Sequence, residues 1–327
     1  MRSRIYRSLL RRILKERELS LDEIREGGGL KSLPPAILPG GTSIEPVAIG
    51  GMEAEWIVPS LAEPGLAMLH LHGGGYVSGS AELHRMLTAW LARSAGARVL
   101  APNYRLAPEH PFPAALDDAL AAYRFILSSG YSSRRLAVSG DSAGGGLVLA
   151  MVMRLRDAGE PLPAAIVLMS PWTDLELKNP SCRDKAEVEA LLKVDILREW
   201  AAWYAGGENL ASALLSPVNG DFSGFPPMLI QVGSEEILLD DSRILARKAA
   251  AAGAAVKLSV WDGLWHCWQA LGGLVPENDD SFAEVEAFLL GHFVPRSLEA
   301  LLETEHAHGD DDDADAEQRQ RLGPELE

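Results

Sequence analysis

The stretch Leu136-Ala137-Val138-Ser139-Gly140-Asp141-Ser142-Ala143-Gly144-Gly145 runs from a short apolar segment into a helical pattern that opens at Leu147. A G-x-S-x-G set between a strand and a helix has the form of a nucleophile elbow. The turn is so tight that its flanking positions must be very small, and it lifts the serine hydroxyl above the end of a sheet. There the N-terminus of a helix offers free N–H groups and a dipole that favour negative charge. Ser142 is therefore the candidate nucleophile. A glycine-rich strand–helix turn that cradles a phosphate has a similar appearance, so the motif alone leaves two chemistries open.

Outward from the elbow, short apolar runs alternate with longer helical patterns. The spacing predicts strands at 53–58, 66–71, 98–102, 136–139, 165–169, 228–232 and 256–260. Several are apolar almost throughout, as strands covered on both faces of a parallel sheet are. Helical periodicity falls near 82–94, 114–127, 143–156, 242–252 and 282–290, the last read as opening with a capping box at Ser281-Phe-Ala-Glu284. This alternation predicts a mostly parallel central sheet with helices on both faces, and the strand–elbow–helix at Ser142 fits the α/β-hydrolase version of it. The catalytic body is placed at 46–300. A helical stretch at 184–206, rich in aromatic residues, interrupts the rhythm and predicts a cap insertion near 180–210.

Composition narrows the classes. The chain has 327 residues, 47% of them hydrophobic, enough for one sizeable core. Its two cysteines, Cys182 and Cys267, are too few for a disulfide framework or a zinc site, and point to a reducing, cytoplasmic setting. The formal net charge is −16, and between Glu303 and Glu327 ten acidic residues face two arginines. That segment, 301–327, has little apolar material to offset its ordering entropy and is expected to be a disordered tail. No basic stripe suggests nucleic acid.

At the N-terminus, Ile5, Tyr6, Leu9, Leu10, Ile13 and Leu14 recur at helical spacing among arginines, an amphipathic basic helix. It lacks the continuous apolar core of a signal peptide, and no run approaches the roughly 18 residues a membrane span needs, so stable membrane insertion is not expected. Ser20-Leu-Asp-Glu23 reads as a capping box that starts a second helix. Residues 1–45 are expected to join the cap, with a Gly- and Pro-rich linker from Gly27 to Gly41.

The second chemical signal is His72-Gly73-Gly74-Gly75, just after the predicted strand at 66–71. Glycines let backbone N–H groups approach a ligand unobstructed, and acyl transfer needs such donors for its oxyanion. Gly74, Gly75 and Ala143 are the expected donors, with His72 and Gly73 shaping the loop. In a Ser–acid–His order the base follows the elbow, which excludes His70, His72, His84 and His110. His306 and His308 lie in the acidic tail. His266, in a loop past the last predicted strand, is a better base than His292 at a helix end. Glu235, Glu236, Asp240 and Asp241 all follow the strand at 228–232, and position alone leaves all of them open as the acid.

With these motifs in order, the sequence resembles the hormone-sensitive-lipase-like family of bacterial esterases. The resemblance spans roughly 45–295 and rests on His72–Gly75, Tyr104-Arg-Leu-Ala-Pro-Glu-His-Pro-Phe-Pro113, Gly140–Gly145, Ser170-Pro-Trp172 and the segments of Glu236 and His266. It implies a triad, three oxyanion donors and a cap built from N-terminal helices and an insertion. The family's Asp-x-Leu-x-Asp pattern aligns with Glu236-Ile-Leu-Leu-Asp240, so the implied acid here is a glutamate, Glu236. The expectation is hydrolysis of short- to medium-chain acyl esters without metal or cofactor. A peptidase or amidase on the same triad is the rival enzyme. Non-catalytic ligand-binding relatives on this scaffold lack the histidine, which this chain keeps. A homo-oligomer is left open. Trp200, Trp203, Tyr204, Trp265 and Trp268 are candidate pocket walls, the last two favoured because they bracket His266; Cys267 is read as a buried thiol.

Overall fold

The apolar runs become strands β1 (Thr42–Ile49), β2 (Met52–Pro59), β3 (Ala67–Leu71), β4 (Arg98–Pro102), β5 (Leu136–Asp141), β6 (Ala165–Met169), β7 (Met228–Gly233) and β8 (Val256–Trp261). In the computed structural model, which describes residues 2–15, 19–28, 38–293 and 295, they form one eight-stranded sheet ordered β1-β2-β4-β3-β5-β6-β7-β8. Only the β1–β2 and β2–β4 pairings are antiparallel. Every residue of β3, β5, β6 and β7 is buried, as expected where helices cover both faces.

The helices are α1 (Arg2–Leu10), α2 (Leu21–Arg25), α3 (Arg85–Ala95), α4 (Ala114–Ser128), α5 (Ala143–Asp157), α6 (Pro180–Asp184), α7 (Val194–Ala205), α8 (Leu239–Ala251) and α9 (Glu277–Leu290); a π-helical turn, Arg11–Lys15, follows α1. α3 packs against α9, and α4 against α5. α5 is the central one: its residues from Ala143 to Met153 are all buried, because it rests directly on β5 and β3. Ser20 and Glu23 form the reciprocal cap expected before α2.

Several boundaries move. β1 begins at Thr42, so a division at 45/46 cuts through a strand. Its alternating exposure and Pro46 hide it in the sequence, yet proline is tolerated on an edge strand, and β1 is the edge. α9 starts at Glu277, one turn before the expected capping box. Ser281 is instead buried inside the helix, where its Oγ donates to Gln231 Oε1 at 2.9 Å and ties α9 to β7. The stretch 184–206 is not one helix: turns and bends at 185–193 separate α6 from α7. Part of the linker, 29–37, and the acidic tail lie outside the described residues.

A small second core forms beside the main one. Leu10 of α1, Ala190, Leu264, Trp265, Trp268 and Val275 are buried together, with Tyr6 and Leu191 packed against them. Thus α1 sits on the loop that carries His266. No helix among the described residues is long and apolar enough to cross a membrane.

Candidate active site

Ser142 sits between β5 and α5 with φ +53° and ψ −123°, a strained conformation for a non-glycine residue. Its surroundings hold it there. Ser142 N–H donates to Met169 O at 2.9 Å, and its carbonyl accepts from Trp172 N–H at 2.8 Å and Gly145 N–H at 3.0 Å. Gly144 must be glycine because a Cβ there would strike the carbonyls of Leu71 and His72. That close approach sets the first turn of α5 against the glycine loop that follows β3.

The loop's own bonds shape it. Gly74 O accepts from the N–H groups of Val77 and Ser78 and from Ser78 Oγ. Gly73 N–H donates to Asp141 Oδ1 at 3.0 Å. Among the described residues, no hydrogen bond occupies the N–H groups of Gly74, Gly75 or Ala143. His72 Nδ1 meets Gly73 O at 2.7 Å, its ring stacks on Tyr104, and Tyr104 Oη donates to His72 O. Burial pushes the His72 pKa down to about 3, so its imidazole is neutral and braces the loop.

Asp141, the variable residue of the elbow, has partners that the sequence did not suggest. His70 Nε2 lies 3.3 Å from its Oδ1 and His84 Nε2 3.6 Å from its Oδ2. Burial alone would raise this carboxyl, but His84 and His70 outweigh it and hold it well below the ordinary aspartate range. His84 moves the opposite way: burial disfavours its charge, yet Asp141 raises it above the ordinary range.

His266 and Glu236 meet. Both are buried, and His266 Nδ1 lies 2.9 Å from Glu236 Oε2. The other oxygen, Oε1, accepts from Ser170 Oγ at 2.8 Å and Gly233 N–H at 2.6 Å. Ser170 Oγ also accepts from Cys267 N–H at 3.2 Å, so it bridges Glu236 and the histidine loop. Burial works against the His266 imidazolium, but the Glu236 hydrogen bond and charge overcome it and hold its pKa above the ordinary range. Glu235 pairs with Arg7, while Asp240 and Asp241 bind backbone N–H groups at Ser181 and at Thr173 and Asp174. None of these three carboxylates touches His266. At Nε2 the neighbour is Cys267 Sγ, 3.4 Å away, and no hydrogen bond from Ser142 Oγ reaches it among the described residues.

The aromatic residues divide differently from expectation. Trp265 and Trp268 are buried in the small core with Leu10, so they are packing, not pocket wall. Tyr204 is also buried, stacked face to face on Tyr76. Half-buried Trp200 of α7 is the one at the glycine loop. Its ring lies so close to Gly75, at φ +64°, that a Cβ there would collide with it. Cys267 is only partly buried, and burial holds its thiol well above the ordinary cysteine range.

A sheet of this order, with a strained serine at the head of its central helix, defines an α/β hydrolase. Residues 68–270 match the family described as alpha/beta hydrolase fold. The chain is 42% identical over 276 residues to an acetyl-hydrolase of Streptomyces hygroscopicus, covering 84% of this chain and 89% of that one. It is 35% identical over 246 residues to an esterase of Acinetobacter venetianus, covering 75% and 81%. A crystal structure of an esterase from the bacterial hormone-sensitive lipase family superposes with a TM-score of 0.85 at 41% identity, covering 90% of this chain and 98% of that one. For EstE5 soaked with p-nitrophenyl butyrate the values are 0.84 and 37%, covering 89% and 98%. This chain belongs to the hormone-sensitive-lipase-like family of bacterial esterases, and it is a carboxylic ester hydrolase.

Proposed function

We propose that the chain hydrolyses short- to medium-chain acyl esters by acyl transfer through Ser142, His266 and Glu236. The observation that carries this reading is the buried His266–Glu236 pair, 2.9 Å apart, in a chain whose elbow serine heads α5. Ser142 Oγ attacks the ester carbonyl while His266 Nε2 takes its proton. Glu236 fixes the ring through Nδ1 and stabilises the imidazolium. The tetrahedral oxyanion is held by the N–H groups of Gly74, Gly75 and Ala143, which no acceptor among the described residues occupies. His266 then returns the proton to the leaving alcohol and activates the water that frees the acid. The Ser142–His266 contact belongs to the Michaelis complex, where such hydrogen bonds tighten.

Trp200 supports the size limit. It stands over the glycine loop at Gly75, within the space an acyl chain on Ser142 is proposed to enter, and the Streptomyces relative is named an acetyl-hydrolase. The test is a chain-length series of p-nitrophenyl esters. Activity is expected to be highest on short acyl groups, and Ser142→Ala to lower kcat by about 10⁶-fold with the fold intact. Trp200→Ala should move the optimum to longer chains. A Ser142→Ala enzyme that keeps more than a few per cent of kcat removes the mechanism. A wild type that prefers emulsified long-chain triglyceride to a soluble butyrate ester removes the size limit.

A further inference from the structure

Glu189 is a fully buried carboxylate that the mechanism above does not use. It lies in the segment between α6 and α7, yet one oxygen reaches the body. Oε2 accepts the N–H of Ile237 at 3.0 Å, while Oε1 accepts from Leu191 N–H at 2.8 Å and Leu192 N–H at 3.3 Å. Ile237 directly follows Glu236. Its carbonyl is gripped as well, by Ser181 Oγ of α6 at 2.6 Å. The residue next to the acid of the triad is therefore held at both its polar groups by side chains from the 180–206 insertion.

The grip continues into the N-terminal segment. Lys15 Nζ donates to the carbonyls of Ala186 at 2.6 Å and Glu189 at 2.8 Å, and Arg11 Nη1 to Glu187 O at 2.5 Å. Arg7 pairs with Glu235, on the other side of Glu236. A continuous chain of bonds thus leads from the N-terminal helices through Glu189 to Ile237, Glu236 and His266.

We propose that Glu189 is a positioning residue for ester hydrolysis: it locks the Glu236–Ile237 peptide in place and adds a second negative charge behind His266, so that seating of the cap and geometry of the triad are one unit. The proposal rests on the reading of Glu236 and His266 as acid and base. Three N–H groups converge on the Glu189 carboxylate and, among the described residues, no acceptor faces it, which suits an ionised group. Burial and Glu236 push its carboxyl above the ordinary range, against the pull of His266 and the N–H groups. Other charges act nearby. Lys15 feels Glu189, Arg11, Glu187 and Lys193, and His266 also feels Asp141.

Removing the charge lowers the pKa of His266, because a negative group that favoured its imidazolium is gone. Glu189→Gln is therefore expected to lower kcat by ~10- to 100-fold through misplacement of the pair, to leave KM nearly unchanged, and to move the acid limb of kcat/KM to lower pH. Glu189→Asp keeps the charge but withdraws it from Ile237 N–H. It should restore the limb to its wild-type position while kcat stays depressed. All kcat values are normalised to active sites titrated with a serine-directed phosphonate, so a loss of folded enzyme does not count. A Glu189→Gln enzyme with wild-type kcat and an unmoved limb, changed only in Tm, overturns the proposal. Where Glu189→Gln does not fold, Glu189→Asp with wild-type kcat does the same. Glu236→Gln, measured alongside, separates the two levels: if it stays active, the triad reading itself has failed; if it is inactive while both Glu189 variants match wild type, only Glu189 loses its role.

Discussion

Ser170 holds φ +47°, a conformation costly for any residue with a side chain. In return its Oγ donates to Glu236 and accepts the N–H of Cys267, which joins Glu236 to the loop of His266 across 66 and 97 positions of sequence. Ser170→Ala removes both bonds but leaves the acid in place with Gly233 N–H. We expect kcat to fall ~10-fold with little change in KM, whereas Glu236→Gln, which removes the charge facing the imidazolium, should cost ~10⁴-fold. Steady-state kinetics on one soluble ester compares them, and equal losses would mean that Ser170 acts on folding alone. At this scale the sequence was legible where chemistry is local. The elbow and the glycine loop could be read because strand, turn and helix follow one another in the chain. The choice among four carboxylates came only from the family pattern, and the roles of Ser170, His84 and Asp141 depend on partners that no spacing reveals. Trp265 and Trp268 misled for the same reason: sequence adjacency to His266 does not say which side of the loop a ring faces.

Among the elements, α1 docks through only part of its apolar set. Ile5 and Leu9 are exposed, while Leu10 is buried against the loop of Trp265 and Trp268. The amphipathic pattern was plain, but which apolar residue docks was not, because the docking surface is built from Ala190 and residues beyond 260. The strands buried on both faces were legible as continuous apolar runs; β1 was not, since an edge strand with one wet face and a proline lacks that signal. Leu10→Ala should cost ~2–3 kcal/mol, capped by the docking energy of α1 itself. For a chain of this size that is a fall in Tm of several degrees. Limited proteolysis should then cut within the first fifteen residues before the body unfolds. Protection equal to wild type would show that the Arg7–Glu235 pair and the Lys15 bonds hold the segment without Leu10.

Across the whole molecule, burial of titratable groups under the sheet's carboxyl end ties stability to pH. His72 is fully buried with its pKa lowered by desolvation from 6.5 to about 3. In the unfolded chain it takes up a proton below pH 6.5, while in the folded chain it does not until about 3. Stability rises with pH wherever the unfolded state binds more protons, so this group removes stability as pH falls through that window. Its share approaches ~1.4 kcal/mol per pH unit. His70, also lowered by burial, acts in the same direction. His84 and His266, both raised, oppose it: their contributions are complete below the ordinary imidazole range and fade as pH rises through their folded values. Asp241, pushed up to about 7 by burial, opposes it too, since its folded form keeps a proton that the unfolded chain has released. The net curve is a balance, and the clean measurement is a difference. His72→Asn keeps a donor for Gly73 O but cannot titrate. Its stability relative to wild type, from urea denaturation at pH 7, 6 and 5, should improve as the pH drops, by roughly 1 kcal/mol per unit. A difference that stays constant with pH would mean that His72 titrates in the fold as it does in the unfolded chain, and one that reverses sign would mean that an imidazolium braces the glycine loop.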